Sequence, residues 1–194
     1  MKKIISLTGL LFMLFSCTKE NTSLLKKSHE TVTGVPKYTI RQGQNYCDGN
    51  YVVQTSYSEL NFIAKFDSTA IYSNVNPDNR LDINKLYGFS DNNSTHQQFS
   101  ARFGWRWSDN ALRLFGYVYN DGVRSSKELG TVAIGTENNC SIKVTEKNYV
   151  FSLNGFTDSL LRTSTTVKAN GFKLYPYFGG DETAPHNIYI WIKE

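Results

Sequence analysis

Arginines and tyrosines recur at even spacings in one part of the chain. Arg102 and Arg106 stand in one apolar segment, and Arg113, Tyr117 and Tyr119 stand in the next. A guanidinium group can bind a carboxylate or sulfate through two parallel hydrogen bonds, and an aromatic ring can pack against the C–H face of a sugar. If these side chains share one exposed sheet face, that face suits an anionic carbohydrate.

Two later segments add aromatic residues at alternating positions, namely Tyr175, Tyr177 and Trp191. The predicted ligand-binding set is therefore Arg102, Arg106, Arg113, Tyr117, Tyr119, Tyr175, Tyr177 and Trp191. A structural reading stays open, because cross-strand aromatic pairs stabilise sheets without any ligand. Loops could also cover this face.

Few residues outside this set could act as acids or bases. His96 opens the segment that carries Arg102, and could be a base beside the arginines. Asp181, Glu182 and His186 follow a Gly-Gly turn and could lie at the mouth of a cleft, although solvated loop residues need no function. The sequence has no Gly-x-Ser-x-Gly, no glycine-rich phosphate loop and no His-Glu-x-x-His. We expect no metal or other cofactor, although calcium could be held by oxygen ligands in the loop 76–79.

The segments that must position these residues read as short strands separated by turns. Turn residues recur at 76–79, 108–110, 120–122, 154–155 and 179–181. This pattern predicts an all-β fold, an antiparallel β-sandwich or jelly roll. The predicted strands cover residues 38–41, 60–72, 85–90, 98–107, 112–119, 132–136, 141–145, 149–153, 172–178 and 187–193.

Alternation assigns the two faces of these strands. Ile188, Ile190 and Ile192 form a core side of the last strand, and Leu112, Leu114 and Val118 do the same in segment 112–119. In segment 172–178 the pattern predicts that Phe172, Leu174, Pro176 and Phe178 are buried. An even-numbered loop between segments 98–107 and 112–119 is favoured, because an odd loop would bury Arg102 and Arg106 unpaired.

The N-terminus carries an export signal. Lys2 and Lys3 precede the apolar run 4–15, which is too short to span a membrane, and Ser16 stands before Cys17. The residues Leu14 to Cys17 resemble a bacterial lipobox, which implies acylation of Cys17. We therefore expect a signal peptide over 1–16, a flexible tether over 17–36 and one β-sandwich domain over 37–194. The expected location is the bacterial cell envelope, on the outer membrane through the lipid anchor, with the leaflet left open.

The net charge limits the classes of binding partner, and the cysteine content bears on disulfide formation. The formal charge of +4 falls close to neutral once Lys2 and Lys3 leave with the signal, so binding to nucleic acid has no electrostatic support. Cys47 and Cys140 form an even pair in an oxidising compartment, which predicts a disulfide. The alternative is two free thiols.

The run from His96 to Asn154, the segment Lys173 to Gly180 and the final Ile188, Ile190, Ile192 strand resemble a concanavalin A-like jelly roll. Within that superfamily the chain is most similar to polysaccharide-lyase-like proteins. Arg102 stands where alginate lyases have an Arg-(Ser/Thr)-Glu-(Leu/Val)-Arg strand, without the flanking Ser/Thr-Glu. The segment 175–180 is similar to their Tyr-Phe-Lys-x-Gly-x-Tyr strand, without the lysine.

The resemblance implies a glycan as the partner and allows three functions. The first is an envelope lipoprotein whose β-sandwich binds a polysaccharide. The second is a lyase that cleaves a uronate polymer by β-elimination, in which Arg102 or Arg106 neutralises the carboxylate and His96, Tyr175 or Tyr177 acts as base. The third is a structural or adhesive surface lipoprotein without a small ligand. Whether the chain is an enzyme stays open at this point.

Overall fold

The computed structural model describes residues 34–194. The predicted signal peptide, Cys17 and nearly all of the predicted tether lie outside the described residues. Within them, no helix is long and apolar enough to cross a membrane.

Two six-stranded antiparallel sheets make up the described part of the chain. Sheet I has the order β1-β12-β3-β8-β9-β10, and sheet II has the order β2-β11-β4-β5-β6-β7. Two short 3₁₀ helices, Ser68–Ala70 and Pro77–Leu81, lie between β3 and β4. The predicted all-β antiparallel sandwich is confirmed. The strands are β1 Lys37–Ile40, β2 Gln54–Tyr57, β3 Glu59–Phe66, β4 Asn84–Ser90, β5 Phe99–Ser108, β6 Ala111–Asn120, β7 Val123–Val132, β8 Glu137–Val144, β9 Asn148–Leu153, β10 Phe156–Leu161, β11 Ala169–Leu174 and β12 Ile188–Lys193.

Tight turns join successive strands at three of the predicted turn sites. Asp109 and Asn110 connect β5 to β6 with φ of 52° and 56°. The pairs 121–122 and 154–155 have the same left-handed backbone and connect β6 to β7 and β9 to β10. Asp, Asn and Gly tolerate positive φ, and two-residue loops of this kind match the twist of a hairpin.

The turn at Asp109 and Asn110 gives the β5–β6 hairpin the even register that the sequence favoured. Trp105 lies opposite Leu114, and Arg102 lies opposite Tyr117. Trp105 and Leu114 are fully buried between the sheets. The arginines of β5 therefore point away from the core.

Aromatic rings join the two sheets in the core. The ring of Phe103 on sheet II packs edge-on against Phe62 and Phe151 on sheet I, with centroids 5.4 and 5.5 Å apart. Ile188 and Ile190 of β12 are fully buried, as the alternation predicted. Burying such side chains stabilises the fold by about 1.5–3 kcal/mol each.

Three strands were not predicted, and one predicted strand was wrong. β2, β7 and β10 are mostly polar edge strands, so their sequences lack the apolar alternation that marks a half-buried strand. The predicted strand 132–136 is instead the end of β7 followed by a turn. Strand 60–72 was predicted too long, because Asp67 caps a 3₁₀ helix directly after β3.

The predicted strand 172–178 ends early, and its face assignment was wrong for Phe172 and Leu174, whereas Pro176 and Phe178 are buried as predicted. β11 stops at Leu174, two residues before Pro176, which has no N–H to donate to a ladder. Lys173 pairs with the buried Phe89, so Lys173 rather than Phe172 lies on the inner side. The side chain of Phe172 is 36% exposed.

The predicted disulfide between Cys47 and Cys140 is also wrong, because both cysteines are free and buried. Cys47 pairs with Ile40 at the edge of β1, whereas Cys140 lies in β8. Four strand spacings of about 4.8 Å separate them, which is far beyond the Cα separation of roughly 7 Å that a disulfide can bridge. Burial raises the pKa of the Cys47 thiol to about 12, which also disfavours its reactive thiolate.

A buried ion pair closes one end of the sandwich. Arg162 Nε donates to Asp91 Oδ2 at 2.8 Å, and the Tyr149 hydroxyl donates to the same oxygen at 2.6 Å. Thr166 donates to the other oxygen at 3.0 Å. Burial would raise the pKa of Asp91, but the hydrogen bonds from Arg162 and Tyr149 hold it below its ordinary value. The charges are thus fully compensated inside the fold.

Candidate functional site

A cleft of about 350 Å³ lies over the outward face of sheet II. Its floor comes from β4, β5 and β6, and the chain after β11 forms one wall. The loop before β5 contributes His96 and Gln97. The side chains that matter for chemistry are Lys85, His96, Gln97, Arg102, Tyr117, Tyr119, Tyr175 and Tyr177.

The strand register fixes the position of Arg102. Arg102 on β5 lies between Gly88 on β4 and Tyr117 on β6. A Cβ atom at Gly88 would come within 2.9 Å of the Arg102 Cγ and within 2.1 Å of the Ala101 carbonyl oxygen. Glycine is therefore required at position 88, and the stem of Arg102 occupies the space that a larger residue would fill.

Arg102 is a buried cation without a partner. Its residue is 6% exposed, its Nε has no hydrogen-bond partner, and it joins no ion pair among residues 34–194. Its guanidinium carbon stacks 5.4 Å from the ring centroid of Tyr117, which supplies a cation–π contact. Burial lowers the pKa of Arg102 to about 10, so the group stays charged at neutral pH.

Lys85 is a second cation beside the same ring, and it is half-buried. Its Nζ lies 5.3 Å from the ring centroid of Tyr117 and 5.6 Å from that of Tyr177. The ammonium donates to the Gly179 carbonyl at 2.8 Å and joins no ion pair in the described part of the chain. Burial, reinforced by the charge of Arg102, lowers the pKa of Lys85 to about 8. The cleft therefore concentrates positive charge that no ion pair of the described residues neutralises, although the charge of Asp82 partly opposes the lowering of the Lys85 pKa.

His96 faces these cations from the loop before β5. Its carbonyl accepts a hydrogen bond from the Ser100 hydroxyl at 2.7 Å, which ties the loop to the strand. Partial desolvation and repulsion from Arg102 and Lys85 lower the pKa of His96 below its usual value. At neutral pH the imidazole is therefore neutral and able to accept a proton.

Tyrosines form the rim of the cleft. Tyr46, which is 64% exposed, packs edge-on against Tyr177 with centroids 4.9 Å apart. Tyr117 and Tyr119 pack against each other at 5.8 Å. Burial raises the pKa of Tyr177, and burial together with Tyr119 raises that of Tyr117 to about 12. The phenols of Tyr117 and Tyr177 are therefore protonated at neutral pH and can donate hydrogen bonds.

The wall at Gly179 is held by buried amides. Its N–H donates to Asn84 Oδ1 at 2.7 Å, and Asn45 Nδ2 donates to the neighbouring Phe178 carbonyl at 2.9 Å. Gly179 has a φ of 98°, and a Cβ there would lie 2.2 Å from the Glu182 carbonyl oxygen. Only glycine fits this close approach.

Glu182 fixes a loop and is not free for acid–base chemistry. Its carboxylate accepts from the backbone of Asn76 at 2.6 Å and of Val75 at 3.1 Å, and from Asn79 Nδ2 at 3.1 Å. Partial desolvation raises its pKa, but these donors hold it below the ordinary value. In the loop proposed for calcium, backbone and side-chain amides thus donate hydrogen bonds to the Glu182 carboxylate.

His186 of the same predicted set lies against the backbone, with its Nε2 2.9 Å from the Thr69 carbonyl oxygen. Within residues 34–194 no group of three or more His, Cys, Asp or Glu side chains could hold a metal ion.

The cleft brings together six of the residues proposed from the sequence, namely His96, Arg102, Tyr117, Tyr119, Tyr175 and Tyr177. Tyr175 also packs against Tyr38 in the core, with centroids 5.8 Å apart. Three proposed residues lie elsewhere. Arg113 pairs with Glu128 at 2.9 Å and with Asp109 at 3.2 Å, while Arg106 donates to the Leu81 carbonyl at 2.7 Å.

Trp191 lies on the other sheet. It belongs to β12 of sheet I, where it pairs with Lys37 and Lys65, and it alternates with the buried Ile190 and Ile192. It therefore points away from the core on the side of the sandwich opposite the cleft. An outward aromatic residue in one strand does not reveal which sheet that strand joins.

Sequence reasoning missed Lys85, Tyr46 and Gln97, although it had placed the Gly-Gly turn at 179–180 beside the mouth of a cleft. Lys85 is an isolated lysine at the start of a short strand, and a bulge between Lys85 and Tyr87 sets its direction. Tyr46 lies in a loop and reaches the cleft through a bridge to Tyr177. In the sequence, the one feature that pointed to any of these missed residues was the position of Gln97 next to His96.

Comparisons with known structures show the fold. The chain is similar to the alginate lyase AlyC3, with a TM-score of 0.55 and 9% identity over 81% of this chain and 72% of that one. It is also similar to the catalytic domain of an endo-1,3-β-glucanase (laminarinase) from Thermotoga petrophila, with a TM-score of 0.51 and 13% identity over 82% and 75% of the two chains. No family model matches the chain, and no curated protein matches its sequence. The fold is an antiparallel β-sandwich of the jelly-roll type, as the sequence predicted.

We expect Arg102→Met to make the fold more stable. The substitution keeps an unbranched side chain over Gly88 but removes a buried charge without a partner, so the free energy of unfolding should rise by about 1 kcal/mol or more. Urea unfolding of the variant would measure this change. Arg113→Met is the matched control, and it should lower stability because it breaks two ion pairs. A clear loss of stability in Arg102→Met would contradict this account of the site.

Proposed function

We propose that this chain binds an acidic polysaccharide of the uronate class in the cleft of sheet II. The observation that carries the proposal is the pair of cations formed by the buried Arg102 and the half-buried Lys85, which line the cleft and join no ion pair among the described residues. Burying an uncompensated charge costs several kcal/mol, so a ligand that supplies the missing anion gains that energy on binding.

The lining of the cleft suits a sugar that carries a carboxylate. The guanidinium of Arg102 has unused donors for a carboxylate, and the ammonium of Lys85 lies beside the same Tyr117 ring. Exposed tyrosine rings such as Tyr46 offer flat apolar surfaces for sugar C–H groups, and Gln97 and the phenols offer hydrogen bonds for hydroxyls.

The similar structures support a carbohydrate ligand in general terms. One is named as an alginate lyase and another as a glucanase, so both names refer to enzymes acting on polysaccharides. The positive charge of this cleft favours an acidic polymer over a neutral one.

The N-terminal sequence supports a cellular location for the proposed binding activity. We propose that Cys17 is lipid-anchored in the bacterial envelope, on the outer membrane, which would keep the cleft near extracellular or periplasmic glycans. The lipobox-like residues 14–17 support this. Cys17→Ala should then move the chain from the membrane fraction to the soluble fraction, and unchanged fractionation would contradict the anchor.

A lyase is the second candidate, and the neutral His96 beside Arg102 favours it. In β-elimination a base takes the C5 proton of a uronate, and the C5–H electrons form a C4=C5 double bond. The C4–O bond to the neighbouring sugar then breaks, and its oxygen takes a proton. The reaction needs no water and no redox partner. Here Arg102 would stabilise the charge on the carboxylate, His96 would be the base, and Tyr175 or Tyr177 would supply the proton.

Binding to uronate oligosaccharides tests the first proposal. We expect calorimetry to show selective binding of a uronate tetrasaccharide over a neutral glucan tetrasaccharide. In Arg102→Met the affinity should fall about tenfold or more, because a hydrogen bond between charged groups contributes about 1.5–3 kcal/mol. Arg113→Met and Trp191→Phe, both outside the cleft, should bind like the wild type. Equal affinity of Arg102→Met and wild type would overturn the proposal.

Turnover separates binding from catalysis. If the chain is a lyase, mixing it with a uronate polymer should produce the ultraviolet absorbance of the unsaturated sugar. If Tyr177 is the residue that supplies the proton, Tyr177→Phe should abolish turnover while the affinity for the tetrasaccharide stays close to that of the wild type, since the ring remains. Unchanged turnover in this variant would remove Tyr177 from the mechanism. Binding without any absorbance change in the wild type would leave a non-catalytic glycan-binding protein.

A further inference from the structure

A second pocket of about 260 Å³ lies beside the cleft on the same face of sheet II. The ring of Tyr117 lines both, so the two spaces meet at this residue. The outward side chains of β6 and β7 form the floor of the second pocket, and residues 81–83 form one side. The concave surface therefore continues past the cleft that holds Arg102.

Arg124 lies where the two spaces meet. It stands on β7 opposite Tyr119, which lines the first cleft, and it lines the second pocket itself. Arg124 is exposed and joins no ion pair among the residues that the structure describes. Its charge contributes to lowering the pKa of Lys85, so it lies within electrostatic range of the first cleft.

The rest of the second pocket suits an uncharged part of a sugar. The guanidinium of Arg106 stacks 4.9 Å from the ring centroid of Phe115 and donates to the Leu81 carbonyl. Glu128 is neutralised by Arg113, which lies 2.9 Å away. Asp82 and Ser126 add acceptors for hydroxyl groups. Arg106 is held in place by the Leu81 carbonyl, whereas the guanidinium of Arg124 has neither an ion-pair nor a hydrogen-bond partner among the described residues and is the freer of the two cations.

The spacing of the cations suits successive sugars. Arg102 is on β5 and Arg124 is on β7, so two strand spacings, or roughly 10 Å across the sheet, separate their backbones. Tyr117 and Tyr119 on β6 lie between the two strands that carry the arginines. Two anionic groups on one extended chain match this spacing.

We propose that the cleft and the second pocket form one groove for an extended acidic chain, in which Arg124 binds the carboxylate of a sugar adjacent or next-but-one to the sugar held by Arg102. This inference rests on the proposed function, because it assumes that the first cleft takes a uronate. It adds that the ligand is a polymer segment and not a single sugar.

Affinity as a function of chain length tests the groove. Calorimetry on the full chain would use one uronate series from the monosaccharide to the hexasaccharide, with wild type, Arg124→Gln and Arg41→Gln. Arg41 is an exposed arginine that lines neither space, so its variant controls for net charge. We expect wild-type affinity to rise with length. Arg124→Gln should lose about two- to fivefold for the longer oligomers and nothing for the monosaccharide, as expected for one exposed ion pair.

The outcomes distinguish the two proposals. If affinity does not change with length, or if Arg124→Gln and Arg41→Gln behave alike, the groove is overturned, while binding that still depends on Arg102 leaves the proposed function standing. If no uronate of any length binds the wild type, both are overturned. A length-dependent loss confined to Arg124→Gln, which also shrinks at high salt, supports the groove.

Discussion

The two-residue turn at Asp109 and Asn110 decides on which side of sheet II the side chains of β5 and β6 lie. Side chains alternate along a strand, so a shift of one residue would bury Arg102 and expose Trp105. The hairpin pairs with β4 on one side and β7 on the other, so its register also affects the side on which Arg124 lies, while the bulge in β4 directs Lys85 toward the cleft side. The whole candidate site depends on this choice of register.

The two most buried arginines of the described residues, Arg162 and Arg102, differ in whether their charge is compensated. Arg162 is surrounded by Asp91, Tyr149 and Thr166, and its hydrogen bonds compensate its charge. Arg102 is equally buried, but it has only the ring of Tyr117 beside it and an Nε without an acceptor. The sandwich can therefore compensate a buried guanidinium when stability requires it. An uncompensated one over an open cleft is typical of a binding site that is completed by its ligand.

Glu182 and Glu194 stabilise segments next to the cleft without pairing with Lys85 or Arg102. Glu182 binds the loop 74–79 through backbone and amide donors, which fixes the chain next to Gly179. Glu194 pairs with Lys173 at 3.0 Å and accepts from the Tyr87 hydroxyl at 2.9 Å. Lys173 is thereby neutralised at the edge of the cleft, whereas Lys85 and Arg102 are not. The arrangement focuses positive potential on one end of the groove.

The sequence by itself determined what depends on neighbouring residues. Turn residues such as Asp109 and Asn110 and the alternation of Ile188, Ile190 and Ile192 were sufficient for the all-β class, the hairpin register and the outward direction of Arg102. Only the tertiary structure decided which strands became neighbours, because sheet order depends on contacts between distant segments. It assigned Trp191 to the other sheet, separated Cys47 from Cys140, and brought Tyr46, Lys85 and His96 around one cleft. Alternation specifies the face of a strand, but the position of that strand in a sheet is set by long-range packing, which no local pattern encodes.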